Sequence, residues 1–225
     1  MGLNFGKIIA VEGIDGAGKN TQVNNIINYI KLHGKQVINY TFPRYETLIG
    51  EQIARYLKGE FGDISKVPYE LICIAYAADR STIRDKVLGH LRNNRYIVMD
   101  RYTYSNLFTA AKLPENKWGE FINWIEDMEF NNLGVVKPDY NFYLYIDPEL
   151  AVKRIKSRGK RDYQKGKEDI HENNVKLLKN VAKCYFNFAE NKKNWFIINQ
   201  MNHKQQLSEE EVFELIKDKL DIILK

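Results

Sequence analysis

Residues 9–21 read Ile-Ala-Val-Glu-Gly-Ile-Asp-Gly-Ala-Gly-Lys-Asn-Thr. An apolar run enters a glycine-rich turn, and a helical stretch follows. Gly13 to Lys19 thus form a Gly-x4-Gly-Lys loop between a strand and a helix, in the order that phosphate binding requires. Such a turn aims successive backbone N–H groups inward as an anion nest, with Gly13, Gly16, Ala17 and Gly18 forming the cradle. The helix starting near Gly18 adds the positive end of its dipole. Lys19 reaches the outer phosphates, so the ligand class is the polyphosphate of a nucleotide. A Ser or Thr that binds magnesium normally follows the lysine; here Asn20 follows, with Thr21 one place later. Asp15 inside the loop is more discriminating. A carboxylate beside a polyphosphate is repelled unless it serves another partner, such as a substrate hydroxyl or a metal.

The rest of the chain supplies the context of that loop. Apolar runs at 7–12, 36–42, 96–100, 141–146 and 195–199 read as five strands. Helical stretches at 18–33, 48–58, 68–93, 105–111, 117–131, 148–157, 169–191 and 208–224 lie between and after them. The last has Ser208 as N-cap and Glu211 three places on. Alternating strands and helices argue for an α/β fold with a parallel sheet flanked by helices. Ligands of such sheets sit beyond the carboxyl ends of the strands, where Glu12, Phe42, Asp100, Asp147 and Asn199 fall. No repeat or linker divides the 225 residues, so residues 1–225 read as one domain.

Charge is uneven. Between positions 153 and 167 stand eight basic residues and one acid, Asp162, a local excess of +7 in a chain of net charge +5. A nucleic-acid binder would spread a basic face with interleaved aromatics. One compact basic segment in a phosphate-loop chain reads instead as a cover for transferring phosphates, or as a solvated stretch. No apolar run is long enough to span a membrane. Cys73 and Cys184 read as reduced packing residues, as in a cytoplasmic protein.

Four further segments carry chemistry. Ile97-Val98-Met99-Asp100 ends a buried strand on an acid suited to the magnesium side of a nucleotide site, and Arg101 follows at once. Phe42-Pro43-Arg44-Tyr45 after the second strand can form a cis turn with Phe42 against a flat ligand and Arg44 near an anion. Tyr76 and Arg80 share a helix face and together can hold a base by stacking and hydrogen bonds. The segment from Arg158 to Glu172 suits a lid that excludes water from the phosphoryl group.

In order, Glu12-Gly-Ile-Asp-Gly-Ala-Gly-Lys, Phe42-Pro-Arg-Tyr, Asp79-Arg80, Asp100-Arg-Tyr and Asp169-Ile-His-Glu172 resemble the thymidylate kinase family over nearly the full length. The resemblance implies a three-layer P-loop kinase fold with a five-stranded parallel sheet and a short basic lid near 158–168. It implies that Asp15 binds the deoxyribose 3′-hydroxyl, Phe42 stacks on thymine, Arg80 donates to the base edge, and Tyr76 lines the same pocket. Arg44 and Arg101 would face the acceptor phosphate, with Tyr45 close by. Ser105, Asn106 and Phe108 would line the acceptor pocket, Arg158 would pack on adenine, and Asp169 and Glu172 would lie near the substrate sugar. A tyrosine is usual in the family where His171 stands. Some members carry an arginine in the phosphate loop where this chain has Gly16, so charge neutralisation would fall to Arg161 of the lid, with Lys165 and Lys167 as rivals.

The implied reaction is ATP + dTMP giving ADP + dTDP, with Mg²⁺ accompanying ATP, Asp100 and Asn20 as candidate metal ligands, and a homodimer as the assembly. No nucleic acid and no membrane is expected as a partner. The rival readings are a deoxynucleoside kinase, which would want an acid rather than Arg44 after the second strand, and a non-catalytic nucleotide-binding module.

Overall fold

Ile8–Glu12 form β1, and all five residues are buried. A strand so apolar belongs in the middle of a parallel sheet covered on both faces. In the computed structural model, which describes residues 5–63, 66–158, 175–203 and 205–225, it lies there. The other sheet strands are β2 (Val37–Thr41), β3 (Tyr96–Asp100), β4 (Tyr140–Tyr145) and β5 (Trp195–Asn199), all parallel, in the order β2-β3-β1-β4-β5. The register sets Val11 beside Asp100, and Thr41 also beside Asp100. The carboxyl ends of the three strands that carry the sequence signals therefore meet at one edge.

The period-two alternation of a strand divides the core. Ile9, Val11 and Val98 face one cluster, which takes in Val23, Ile26 and Ile30 of α1 (Lys19–Leu32) and Val212, Ile216 and Leu220 of α9 (Glu209–Ile223). Ile8, Ala10, Ile97 and Met99 face the other, with Phe42, Ile83, Val87 and Tyr102. Helices on both faces of the sheet make three layers. The remaining helices are α2 (Leu48–Leu57), α3 (Tyr69–Ser81), α4 (Arg84–Arg92), α5 (Leu107–Ala110), α6 (Trp118–Glu126), α7 (Pro148–Arg158) and α8 (Val175–Ala189). Helix α9 opens on the expected capping box: Glu211 N–H donates to Ser208 Oγ at 3.2 Å and Ser208 N–H to Glu211 Oε2 at 2.7 Å.

Three expected helices differ; the stretch 105–111 is the end of a 3-10 turn, Thr103–Asn106, followed by the short α5. The stretch 68–93 is not one helix but α3 and α4, broken at Thr82-Ile83. The cause is side-chain competition for a backbone acceptor. The Asp79 carbonyl accepts from Arg44 Nη2 and from Thr82 Oγ1, both at 2.8 Å. Ile83 N–H turns to the Arg80 carbonyl instead, at 3.3 Å. The stretch 117–131 is α6 followed by a π-helical turn, Asp127–Asn132. The sheet is followed by a two-residue antiparallel pair, β6 (Met201–Asn202) and β7 (Gln205–Gln206), which the periodicity does not announce. Residues 169–174 of the expected 169–191 helix, and the lid proper, lie outside the described residues.

Candidate active site

The phosphate loop leaves β1 at Glu12 and closes with Ala17 N–H donating to the Ile14 carbonyl at 3.2 Å. Gly16 has φ +80°, and a Cβ there would lie 2.7 Å from the Ala151 carbonyl oxygen, so the loop and α7 admit only glycine at this place. Lys19, buried, donates through Nζ to the carbonyls of Gly13 and Ile14 at 3.0 and 2.9 Å. It thereby lies curled over the loop whose N–H groups form the nest. Two side chains missed in the sequence hold the loop from outside. Arg154 of α7 donates to the Gly16 carbonyl at 3.0 Å, and buried Gln200 to the Ala17 carbonyl at 2.9 Å. Arg154 is hidden in the sequence among seven other basic residues of 153–167. Gln200 is 183 residues from its partner.

Beside the loop, Asp15 and Arg101 form an ion pair, each about one-quarter exposed. Arg101 has φ +65°, the left-handed region that costs a non-glycine residue about 1–2 kcal/mol. Its backbone is held by its neighbours: Arg101 N–H donates to the Val11 carbonyl at 3.1 Å, and Tyr102 N–H to Glu12 Oε1 at 2.9 Å. Glu12 also accepts from Ser105 Oγ at 2.6 Å and Tyr185 OH at 3.3 Å. Burial pushes the Glu12 carboxyl up to about 7, against the Ser105 and Tyr102 hydrogen bonds and the Arg101 and Arg80 charges that pull it down. The residue thus ties the end of β1 to the turn that presents Arg101.

An open pocket adjoins this pair. Gly13, Asp15, Phe42, Tyr45, Tyr76, Arg80, Arg101, Ser105, Asn106 and Phe108 all line it. Phe42 enters through a cis peptide bond to Pro43 and packs 5.8 Å, centroid to centroid, from Tyr102. Buried Arg80 forms a side-on pair with Glu129 of the π turn, through Nε at 2.8 Å and Nη2 at 2.5 Å. Glu129 is fully buried and also accepts from Thr103 Oγ1 at 2.8 Å and Asn106 Nδ2 at 2.9 Å. The sequence carried a signal for it: an acid four places beyond Ile125, in phase with Trp118, Ile122 and Ile125 on the buried face of α6. Lys112 and Tyr185 also line the pocket without having been singled out.

Arg44 lies apart from this lining. Its Nε and Nη2 donate to Asp79 Oδ1 at 3.1 and 2.7 Å, and its backbone N–H to Asp79 Oδ2 at 2.9 Å. Asn20 is exposed and Thr21 half-buried on the first turn of α1. Asp100 Oδ1 is buried without a hydrogen-bond partner among the described residues, an acceptor of the kind that a magnesium ion or its water would satisfy. No group of three or more His, Cys, Asp or Glu suited to a metal occurs among the described residues. Only the backbone of Arg158, at the end of α7, is described. Arg161, Lys165, Lys167, Asp169, His171 and Glu172 lie outside the described residues.

The chain is similar to known proteins in sequence and fold. A family model described as thymidylate kinase matches residues 11–212. A thymidylate kinase of Mycobacterium tuberculosis is 34% identical over 184 residues, covering 81% of this chain and 85% of the relative. One from Plasmodium falciparum is 30% identical over 217 residues, covering 96% and 92%. A solved thymidylate kinase structure from Candida albicans superposes with a TM-score of 0.74 at 20% identity, covering 97% of this chain and 92% of that one, a likeness of fold. The match spans the phosphate loop, the turn after β2 and the Asp100-Arg-Tyr segment, and the chain belongs to the thymidylate kinase family.

Proposed function

We propose that the chain transfers the γ-phosphoryl group of ATP to dTMP, giving dTDP and ADP, as a step of dTTP biosynthesis. The observation that carries this reading is that the phosphate loop and an aromatic, arginine-lined pocket share one boundary, the Asp15–Arg101 pair. A phosphate oxygen of dTMP attacks the γ-phosphorus, and the bond from that phosphorus to the bridging oxygen breaks, leaving ADP with the electron pair. The acceptor is already ionised, so no strong general base is needed, and catalysis consists of positioning and charge neutralisation. The loop N–H groups and Lys19 hold the donor phosphates. Lys19 exchanges its bonds to the Gly13 and Ile14 carbonyls for phosphate oxygens. Arg101 faces the acceptor phosphate, with Tyr45 beside it, and Asp15 takes the sugar 3′-hydroxyl. Phe42 stacks on the base that Arg80 reads, and Tyr76 lines the same pocket. Ser105, Asn106 and Phe108 complete the pocket wall.

Bound with ATP, magnesium spreads the charge of the polyphosphate. Asp100 is the residue best suited to its side of the site, and Asn20 the weaker one, since its side chain is turned to solvent. Arg161, or Lys165 or Lys167, neutralises the transferring group from the lid. The family resemblance assigns Arg158 to adenine and Asp169 and Glu172 to the sugar; all three side chains lie outside the described residues. A cytoplasmic enzyme suits the two buried thiols, Cys73 and Cys184, both free and both pushed up to about 12 by burial. A homodimer suits the apolar side chains of Leu48, Leu71 and Ile74, exposed on α2 and α3. No described helix is long and apolar enough to cross a membrane.

A coupled assay with ATP and Mg²⁺ over a panel of nucleoside monophosphates, with thymidine alongside, tests the reading. Turnover with dTMP is the expected result. Turnover with thymidine alone would establish a nucleoside kinase, and ATP hydrolysis with no phosphorylated nucleotide would favour a nucleotide-binding module.

A further inference from the structure

We propose that Glu129 sets the donor–acceptor polarity of the base pocket, so that a pyrimidine with a 4-oxo group and an N3–H is accepted and a 4-amino pyrimidine is rejected. The inference rests on the pocket's being the monophosphate site described above. A carboxylate paired with arginine only accepts hydrogen bonds, so whatever faces it must present N–H or O–H. Four donors do so: Nε and Nη2 of Arg80, Oγ1 of Thr103 and Nδ2 of Asn106.

Two consequences follow for groups that line the pocket. The side-on pair takes one edge of the Arg80 guanidinium and leaves Nη1, a pure donor, for the ligand. The bond from Asn106 fixes the sense of its amide. With the NH₂ end committed to Glu129, the Oδ1 end is the one offered to the pocket. An asparagine in the opposite sense would set its carbonyl oxygen against a carboxylate. The buried acid therefore converts an ambiguous amide into an acceptor and holds a donor beside it. A thymine edge offers the complement, an acceptor at O4 and a donor at N3–H. A cytosine edge offers a donor at N4 and an acceptor at N3, which meets donor with donor and acceptor with acceptor. Leaving two buried polar groups so mismatched is the situation in which binding sites discriminate most strongly. Glu129 touches neither substrate nor phosphate, so it is a positioning residue.

The test compares kcat/KM for dTMP and dCMP in the wild type and in Glu129→Gln. The glutamine amide can donate to Asn106 Oδ1 and so permits the reversed amide. The expected result is a fall in the dTMP-to-dCMP ratio of ~10-fold or more, carried mainly by KM for the nucleotide, with KM for ATP little changed. A ratio equal to that of the wild type overturns the proposal, as does a uniform loss in which KM for ATP moves with the rest. If Glu129→Gln does not melt cooperatively, Asn106→Ala keeps the Arg80–Glu129 pair and removes the acceptor. A lowered ratio is again expected, and an unchanged one again overturns the proposal. A wild-type enzyme that phosphorylates neither nucleotide refutes the reaction itself and the polarity argument with it, whereas a preference surviving in the variants refutes the polarity argument alone.

Discussion

Glu12 is expected to make the stability of this protein fall as pH rises through neutrality. The residue is fully buried at the end of β1, and burial lifts its carboxyl from 4.5 to about 7. Between those values the folded protein holds a proton that the unfolded chain has released. Raising the pH therefore favours unfolding, because the native state binds more protons. The stability from this group is fully present below pH ~4.5 and is gone above pH ~7; at about 1.4 kcal/mol per unit the total is about 3 kcal/mol. The pH dependence of stability sums over every ionisable group, so the quantity to measure is a difference. Glu12→Gln removes the titration while retaining an acceptor for Tyr102 N–H. Urea denaturation of wild type and variant at pH 5, 6, 7 and 8 gives the two stabilities. The wild type minus variant difference should fall by about 2–3 kcal/mol from pH 5 to pH 7 and then level off. A difference that is flat over this range, or rises with pH, would refute the argument that burial outweighs the Ser105 and Tyr102 hydrogen bonds.

Arg80→Ala removes a base-reading group and also leaves Glu129 buried without its counter-charge; besides a raised KM for dTMP, thermal melts should show a stability loss of about 3–5 kcal/mol. Gly16→Ala should cost about 1 kcal/mol or more and raise KM for ATP, because φ +80° and the Ala151 carbonyl 2.7 Å away both oppose a side chain; chemical denaturation and ATP kinetics check it. Lys19→Ala should lower kcat by ~10³ or more while the fold persists by circular dichroism, since its loop bonds replace one another more readily than its charge on the phosphates. Ser208→Ala deletes the cap of α9 and should cost about 1 kcal/mol in urea denaturation with no effect on turnover.

The features legible in the sequence are those whose cause is local. The phosphate loop is a run of seven residues, Gly13 to Lys19, whose glycines and lysine stand at fixed spacing between a strand and a helix. Strands β1 and β3 declare themselves as apolar runs that each end on an acid, Glu12 and Asp100, and Ser208 with Glu211 announces the start of α9. The break between α3 and α4 is not legible, because its cause lies elsewhere in the chain. Arg44, 35 residues from Asp79 in sequence, takes the carbonyl that would have continued the helix. The same pairing explains why Arg44, conspicuous after β2, lies off the pocket lining while its neighbour Tyr45 lies on it. Glu129 is an intermediate case. Its spacing, in phase with the apolar face of α6 one turn earlier, marks it as an acid needing a buried partner, but only the fold reveals that the partners are Arg80, Thr103 and Asn106. Glu12 is similar: the sequence places it at a strand end, and the tertiary structure brings Tyr102, Ser105 and Tyr185 to it. The Asp15–Arg101 pair joins two motifs that the sequence shows 86 residues apart. Their contact sets the loop against the boundary of the aromatic pocket.

The central claim is that the γ-phosphoryl group moves from ATP to the phosphate of dTMP. Following ATP labelled at the γ-phosphorus through a single turnover with dTMP and magnesium tests it most directly. The label should emerge in the terminal phosphate of dTDP, at a rate that Lys19→Ala abolishes. Label released as inorganic phosphate, or found in dTMP only when thymidine replaces it as acceptor, would contradict the account.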